Sequence, residues 1–400
     1  MPALLGRLLE RVRAEPIAGR APDGYGVEAR VEITPDTLIS TLLAADGVPA
    51  VFREFPAAAI AALEGRPRPL LRLVGEEVTY YSGGPVRGWS EGAYLAYACS
   101  DYPQLWNVRA PFDVRRAQFA AAQARLPAGL FSPWTVGEWA NSTFMDYDYC
   151  LRWAAPDHPT PPVPPDATYP DVPVLIVNGD LDIRTDLPQA KQVARNFPNA
   201  RFVRIPNSGH VTALYDADAC SSTLVRRFLA TGLAGSQACT AEIPEHRVVS
   251  SFPTRTADAR QATVAGSGDR SNPAARRAAT VASEAVADVI DRWYAIAGYT
   301  GVGLRGGTFS FAATSLVPFP RNVWTIRLNG SRFARDLAVT GGGNVPRGRG
   351  TARVALQLSG AASGRIVLRW PTRAVHAHVR ITGTINGRDV DLAAPAPSFW

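Results

Sequence analysis

Residues Asp171 to His210 read DVPVLIVNGDLDIRTDLPQAKQVARNFPNARFVRIPNSGH, and this stretch decides the fold. Val172 to Val177 is a continuous apolar run rich in β-branched side chains, which is typical of a strand buried on both faces of a parallel sheet. The pattern that follows predicts an amphipathic helix over Pro188 to Phe197 and a second strand over Arg201 to Ile205. The sequence therefore predicts a strand–helix–strand unit of a parallel sheet.

Acidic residues follow the first predicted strand, and a histidine follows the second. Asp182 and His210 are 28 positions apart. In a right-handed parallel crossover both loops leave the sheet at its carboxyl edge, so these two side chains are expected to meet. A carboxylate that holds an imidazole in one tautomer supplies two members of a hydrolytic triad. The alternative is that Asp182 only caps the following helix and that His210 is an ordinary loop residue.

The segments GDLD, PNARFVRIPNSGHVT and LVRRFLATG, the last in a helix with Cys220, resemble the C-terminal half of the secreted tripeptidyl-aminopeptidase-like hydrolases. These are relatives of the proline iminopeptidases. The resemblance implies the C-terminal part of an α/β-hydrolase parallel sheet with a mainly helical lid, to which this chain adds a C-terminal all-β domain. It also implies that Asp182 is the triad acid and His210 the base, in the α/β-hydrolase order with the nucleophilic serine earlier in the chain.

Gly88 to Gly92 spell G-x-S-x-G, the pattern of a nucleophile elbow, with Ser90 at its centre. An elbow needs a buried strand running directly into the turn. The preceding residues are SGGPVR instead, which favours Ser90 as a helix N-cap. We therefore expect the nucleophile on an N-terminal segment that this sequence lacks. Two alternatives stay open: a complete hydrolase that uses Ser90, and a noncatalytic remnant that binds a ligand.

The four cysteines show no CxxC or Cys/His metal spacing, which leaves disulfides or isolated thiols. The resemblance implies that Cys99 pairs with Cys150 and that Cys220 pairs with Cys239. Two bridges indicate an oxidising compartment, so a secreted or cell-envelope protein is expected. The N-terminus lacks the uninterrupted apolar core of a signal peptide, and no run approaches the ~18 apolar residues that span a bilayer.

The resemblance, which implies the lid and the hydrolase core, and the composition together divide the chain into four parts. Apolar residues at helical spacing predict a helix over residues 3–14, and Pro56 is expected to open another helix. Asn386-Gly387 predicts a tight hairpin near the C-terminus. We expect a helical lid over residues 1–165, the hydrolase core over 166–240, a linker over 241–273, and a helix plus β-rich domain over 274–400.

Two further segments contain candidate site residues. Glu138 in SPWTVGEWANS is a candidate to bind the α-ammonium of a peptide, because lid carboxylates do so in the related exopeptidases; the alternative is an exposed glutamate beside an aromatic ring. His376 and His378 are expected on one strand face, but no third metal ligand is in view. The sequence thus indicates a peptide or a small amide or ester as substrate, with no cofactor and no metal.

Charge is distributed unevenly along the chain. From Glu245 onward there are 20 Arg against 9 acidic residues, a balance of +11, whereas the preceding residues give 22 minus 26, or −4. The arginines stand singly in strand-like segments and do not cluster with aromatic residues. This pattern favours a solvated basic face over a nucleic-acid site.

Overall fold

The structure is a computed structural model that describes residues 1–46, 48–81, 90–145, 147–155, 163–213, 219–292, 295, 299–313 and 323–397. The helices are α1 (Pro2–Ala14), α2 (Pro35–Leu43), α3 (Pro49–Leu63), α4 (Arg68–Tyr81), α5 (Glu91–Asp101), α6 (Phe112–Arg125), α7 (Val136–Ala140), α8 (Tyr147–Arg152), α9 (Leu187–Arg195), α10 (Cys220–Thr231) and α11 (Pro273–Asp291). The strands are β1 (Ile17–Pro22), β2 (Glu28–Ile33), β3 (Val174–Gly179), β4 (Ala200–Ile205), β5 (Thr263–Val264), β6 (Thr300–Val302), β7 (Thr308–Ala313), β8 (Val323–Ser331), β9 (Leu337–Pro346), β10 (Thr351–Gly360), β11 (Gly364–Pro371), β12 (His378–Ile385) and β13 (Arg388–Pro395).

The hydrolase-like stretch forms a small parallel unit. Strands β3 and β4 pair in parallel, with Val174 opposite Ala200 and Gly179 opposite Ile205, and they form a two-stranded sheet within the described residues. Helices α9 and α10 pack beside them, and the buried core consists of Val203, Ile205, Cys220 and Leu224. The β3 side chains from Val174 to Val177 are only half-buried, so the expected burial on both faces of this strand is not reached.

A nine-stranded antiparallel sheet fills the C-terminal part of the chain, in the order β5-β13-β12-β11-β10-β9-β8-β7-β6. Helix α11 packs on one face of this sheet, where alternate strand residues are buried. The hairpin between β12 and β13 turns at Asn386 and Gly387, whose φ angles of 49° and 72° are those of the tight turn that this dipeptide predicts. The all-β architecture expected for this region is confirmed.

The first four helices belong to the same body as the large sheet. Helices α1 to α4 share one hydrophobic core with α11 and the large sheet, to which they contribute Leu8, Phe55 and Leu70. The expected linker is also part of this body, since Phe252 is buried and β5 pairs with β13. Val249, Phe252, Ala259 and Ala262 of this segment belong to the shared core, which its polar composition does not reveal.

Pro56 lies inside α3, which starts at Pro49, so the expectation that Pro56 opens a helix was wrong. Proline cannot donate the hydrogen bond of a helix interior. The helix nevertheless continues, because Phe55, Ala58 and Ala59 on either side of the proline are at most 2% exposed. Tertiary packing outweighs the local preference here.

A buried ionic network joins the N-terminal helices to α11. Arg292 on the α11 C-cap donates to both carboxylate oxygens of Glu54 at 2.8 and 2.6 Å, and its Nε lies 2.8 Å from a Glu76 oxygen. Arg72 pairs with Asp288 in the same region. Burial raises the pKa of Glu76 to about 7 although both guanidinium groups lower it. Removing either arginine would leave three buried carboxylates with only one guanidinium group, so the network is costly to break.

Candidate active site

The loop that carries His210 passes directly over the end of β3. A side chain added at Gly179 would overlap the carbonyl oxygens of Ser208 and Gly209, so the close approach requires glycine. The backbone N–H of Leu181 donates to Ser208 O at 2.9 Å and holds the loop in place. Gly179 therefore allows the acidic turn and the histidine loop to meet.

Asp182 lies at the centre of this junction, with only 3% of its side chain exposed. Its Oδ1 accepts hydrogen bonds from the backbone N–H groups of Arg184 and Thr185, both at 2.9 Å. Its Oδ2 accepts from the Thr185 hydroxyl at 2.8 Å and lies 3.1 Å from His210 Nδ1. Both carboxylate oxygens are thus held in fixed directions.

These hydrogen bonds favour the ionised form of the Asp182 carboxylate. Burial alone would raise the pKa of Asp182, but hydrogen bonds from Thr185, His210 and Arg184 hold that pKa below its usual value. The ionised carboxylate is an acceptor only, so His210 Nδ1 must donate to it. The remaining ring nitrogen, Nε2, then carries the lone pair in the neutral imidazole. His210 is 35% exposed at its side chain, so this nitrogen can receive a proton from outside.

The histidine loop also contains unusual backbone conformations. Asn207 and Val211 have φ angles of 52° and 56°, in the left-handed region that a β-branched residue such as Val211 rarely adopts. Such strained residues cluster at functional sites. His246 Nε2 donates to the Asn207 carbonyl at 2.8 Å and supports the loop from a distant segment.

The two carboxylates of GDLD have different partners. Asp180 accepts a hydrogen bond from Arg204 of β4 at 2.7 Å. Asp180 therefore links the two strands at the same edge, while Asp182 contacts the histidine. Because only Asp182 of these two carboxylates contacts His210, Asp182 is the candidate acid.

Ser90 is the N-cap of α5, where its hydroxyl accepts a hydrogen bond from the N–H of Ala93 at 3.3 Å. Gly88, Trp89 and the preceding SGGPVR lie outside the described residues. Within the described part of the chain no hydrogen bond joins Ser90 to His210, and no other hydroxyl contacts His210 Nε2. The candidate acid and the candidate base are therefore in contact, while no hydroxyl of the described residues lies against His210 Nε2.

Glu138 is engaged by the protein itself. It completes a capping box with Thr135 and accepts hydrogen bonds from Arg13 Nε and Nη2 at 2.7 and 2.6 Å. The Arg13 hydrogen bond is the main reason that the pKa of Glu138 is lowered. A substrate ammonium group would have to displace Arg13 from this carboxylate.

His376 does not share a strand face with His378, which was the expectation. β12 begins at His378, while His376 lies before it with a φ of 52° and its Nδ1 lies 3.2 Å from Glu245. The described residues contain no group of three or more histidine, cysteine or carboxylate side chains placed to hold a metal ion. They also contain no helix with the length and hydropathy needed to cross a membrane.

The four cysteines form two disulfides, in the pairing that the resemblance implies. Cys99 of α5 bonds to Cys150 of α8 with Cα atoms 5.0 Å apart, and Cys220 of α10 bonds to Cys239 with Cα atoms 5.7 Å apart. Cys220 belongs to the small core beneath β3 and β4. The second bridge therefore fixes α10 against the candidate site, and both bridges fit an extracellular protein.

Sequence reasoning found Asp182 and His210 but missed three residues that support them. Thr185 and Asn178 both contact the Asp182 carboxylate, with Asn178 Nδ2 at 3.4 Å from Oδ2. Asn178 was detectable as a polar residue at the end of an apolar strand. His246 stands in no recognisable pattern, because its role depends on a contact 39 residues away.

One comparison with known proteins found a match, over the part of the chain that contains the candidate site. Residues 137–239 match the α/β-hydrolase family model described as TAP-like protein, and this match includes both Asp182 and His210. No curated protein and no solved structure matches the chain. The match covers 103 of the 400 residues. Residues 137–239 therefore resemble the TAP-like α/β-hydrolases, which supports hydrolase chemistry as the general class of this site.

Proposed function

We propose that Asp182 and His210 are the acid and the base of a serine-type hydrolase. The observation that carries the proposal is the 3.1 Å contact between His210 Nδ1 and Asp182 Oδ2, made by a buried carboxylate whose remaining acceptor positions are filled. In this arrangement His210 Nε2 takes the proton of an attacking serine hydroxyl, and Asp182 stabilises the resulting imidazolium. The imidazolium then gives that proton to the leaving amine or alcohol.

The nucleophile is proposed to come from a segment that extends the parallel sheet at β3. In the described residues β3 pairs with β4 along one edge only, and its apolar side chains are half-buried. A further parallel strand at the other edge would end beside Asp182, because parallel strands place their following loops at one edge of the sheet. Ile183 and Val211, which are 43% and 38% exposed, would be covered by such an addition.

The proposed substrates are peptides cleaved near their N-terminus, or related amides and esters. This class follows from the resemblance to aminopeptidase-like hydrolases. Glu138 is a weaker candidate for ammonium recognition, because Arg13 already occupies its carboxylate. Two alternative functions predict different outcomes of the test below. One is a hydrolase that uses Ser90, and the other is a noncatalytic protein that binds a ligand at the Asp182–His210 edge.

The test begins with the genomic sequence upstream of Met1. An in-frame G-x-S-x-G on a strand–turn–helix should be found, and the extended protein should hydrolyse aminoacyl p-nitroanilides or p-nitrophenyl esters. The 400-residue chain alone should show no turnover, since an acid and a base retain little of a triad's rate without the nucleophile and oxyanion donors. If the chain alone shows turnover and Ser90→Ala abolishes it, the result favours a hydrolase that uses Ser90. If the extended protein is inactive, the result favours a noncatalytic protein that binds a ligand.

A further inference from the structure

The large antiparallel sheet has one covered face and one open face. In β10 the residues Ala352, Val354, Leu356 and Leu358 are buried, whereas Arg353 and Gln357 between them are exposed. The same alternation continues in the neighbouring strands β11 and β12. Because strand side chains alternate between faces, the exposed set forms one continuous surface, which we call the outer face.

The strand register brings three arginines into one row on the outer face. Arg353 of β10 lies opposite Arg369 of β11, and Arg369 lies opposite Arg380 of β12. Neighbouring strands are about 4.8 Å apart, and like charges directly opposite each other are destabilising. The sequence separates these residues by 16 and 11 positions, so only the register reveals the row.

The row is not neutralised within the described residues. Arg380 pairs with both Asp391 oxygens at 2.8 and 2.7 Å. No carboxylate of a described residue lies within ion-pair distance of Arg353 or Arg369, although both are exposed. Two adjacent guanidinium groups thus face solvent without a counter-charge, and a bound anion would relieve their repulsion.

Neutral hydrogen-bonding side chains share the outer face with the row. Asn344 lies opposite Arg353, and Thr325 donates to the Asn344 amide oxygen at 3.1 Å. Farther along β10, four residues from Arg353, Gln357 lies opposite Arg365 and accepts from its Nε at 2.9 Å. The described strands β8 to β13 present no phenylalanine, tyrosine or tryptophan on this face.

An open cleft of about 530 Å³ lies at the β6–β8 side of the same sheet. Its lining includes Arg327, Asn329 and Ser310, together with Tyr25 from the turn between β1 and β2. The Tyr25 residue is 60% exposed. A tyrosine ring offers a flat apolar surface with a polar tip, which suits the face of a sugar ring.

From these observations we propose that the outer face binds an acidic polysaccharide, a chain of sugar units that carry carboxylates. The planar guanidinium fork matches a carboxylate in two hydrogen bonds, which suits Arg353 and Arg369. Threonine, asparagine and glutamine beside the row suit the sugar hydroxyls, and the cleft with Tyr25 accommodates one ring. Single-stranded nucleic acid would require stacking aromatics along the row, and a lipid surface would require apolar side chains that insert.

The test uses calorimetric titration of the full chain with polygalacturonate at several salt concentrations. Wild type should bind, more weakly as salt rises. The double variant Arg353→Gln/Arg369→Gln should bind about tenfold more weakly or worse, because two charge-assisted contacts are lost. The matched control Arg7→Gln/Arg125→Gln removes the same net charge from exposed helix positions and should bind within about twofold of wild type.

Neutral dextran, single-stranded DNA and phosphatidylglycerol vesicles provide the comparison ligands. All three should bind more weakly than polygalacturonate. Absence of polygalacturonate binding, equal affinity of the double variant and wild type, or tighter binding to DNA or vesicles would overturn the proposal. Thermal melting should give a midpoint no lower than that of wild type for both double variants, which shows that they are folded. Tyr25→Ala should also weaken binding, and an unchanged affinity would overturn the role of the cleft.

Discussion

His246 Nε2 donates a hydrogen bond to the carbonyl oxygen of Asn207 at 2.8 Å, three positions before His210. The same imidazole stacks on Phe52 of α3, with ring centroids 6.4 Å apart. Val249 N–H donates to Arg53 O at 2.7 Å and ties this segment to α3. The loop that carries the candidate base is therefore held by the body formed from the N-terminal helices and the large sheet.

Removing this contact should loosen the loop. We expect His246→Ala to speed amide hydrogen exchange over residues 206–213 by about tenfold or more, because one net hydrogen bond of roughly 1 kcal/mol and the ring contact are lost. Burial lowers the pKa of His246 to about 4, so the ring is neutral and the effect should be the same at pH 6 and pH 8. Mass-spectrometric exchange measures it.

His378→Ala is the matched control, because this exposed histidine bonds only within its own segment, from Nδ1 to His376 O at 3.1 Å. It should leave exchange of residues 206–213 unchanged. Equal exchange in His246→Ala and wild type would show that the loop is held by its own backbone contacts.

The candidate site was predictable because it depends on local patterns and one topological rule. The apolar run before GDLD and the strand before His210 indicated where the loops leave the sheet. The distant residues that hold the site in place were not predictable. His246 acts across 39 residues, and the Gly341–Gly343 run inside β9 gives no strand pattern although β10 pairs with it throughout. Contacts at this sequence distance are set by packing, which periodicity does not encode.

Breaking the buried ionic network should destabilise the protein. Arg292→Met leaves the carboxylates of Glu54 and Glu76 without their main partner, and we expect the free energy of unfolding to fall by roughly 3–5 kcal/mol. Urea unfolding at pH 7 measures this loss. The double variant Arg292→Met/Glu54→Leu should be less destabilised than the single variant. A loss below about 1 kcal/mol for Arg292→Met would contradict the assigned role of the network.

Glu77 should make stability depend on pH. The residue is 4% exposed, and burial followed by repulsion from Asp36 raises its pKa to about 7. The pKa of Glu77 in the folded protein lies above its value in the unfolded chain. Protonated Glu77 therefore contributes stability that is fully present below pH ~4.5 and is lost as pH rises through 7. Glu77→Gln should therefore match wild type at pH 4.5 and be more stable at pH 8, by up to about 3 kcal/mol.

Thermal unfolding at both pH values tests this difference. Glu10→Gln, on the exposed side of α1, is the control and should show no pH-dependent gain. A Glu77→Gln variant that is less stable than wild type at pH 8 would mean that this carboxylate is stabilised as an ion.

The disulfide between Cys220 and Cys239 should stabilise the hydrolase-like unit. It spans a sequence separation of 19, and replacing both cysteines with alanine should cost about 3 kcal/mol in the chain-entropy account. The cost should appear as faster exchange in α10, whereas loss of the Cys99–Cys150 bridge should loosen α5 and α8 instead. Alkylation of the oxidised protein followed by mass spectrometry should detect no free thiol. Four alkylated cysteines would contradict the pairing.

The central claim is that Asp182, and not Asp180, serves His210 in a hydrolytic triad. The most direct measurement is the turnover of aminoacyl p-nitroanilides by the protein extended with its nucleophile segment, compared between Asp182→Asn and Asp180→Asn. Asp182→Asn should fold normally and lower kcat by about four orders of magnitude, because the imidazole is left in the wrong tautomer. Asp180→Asn, which loses only the Arg204 contact, should retain turnover within about tenfold. Loss of activity in Asp180→Asn with little change in Asp182→Asn would contradict the account.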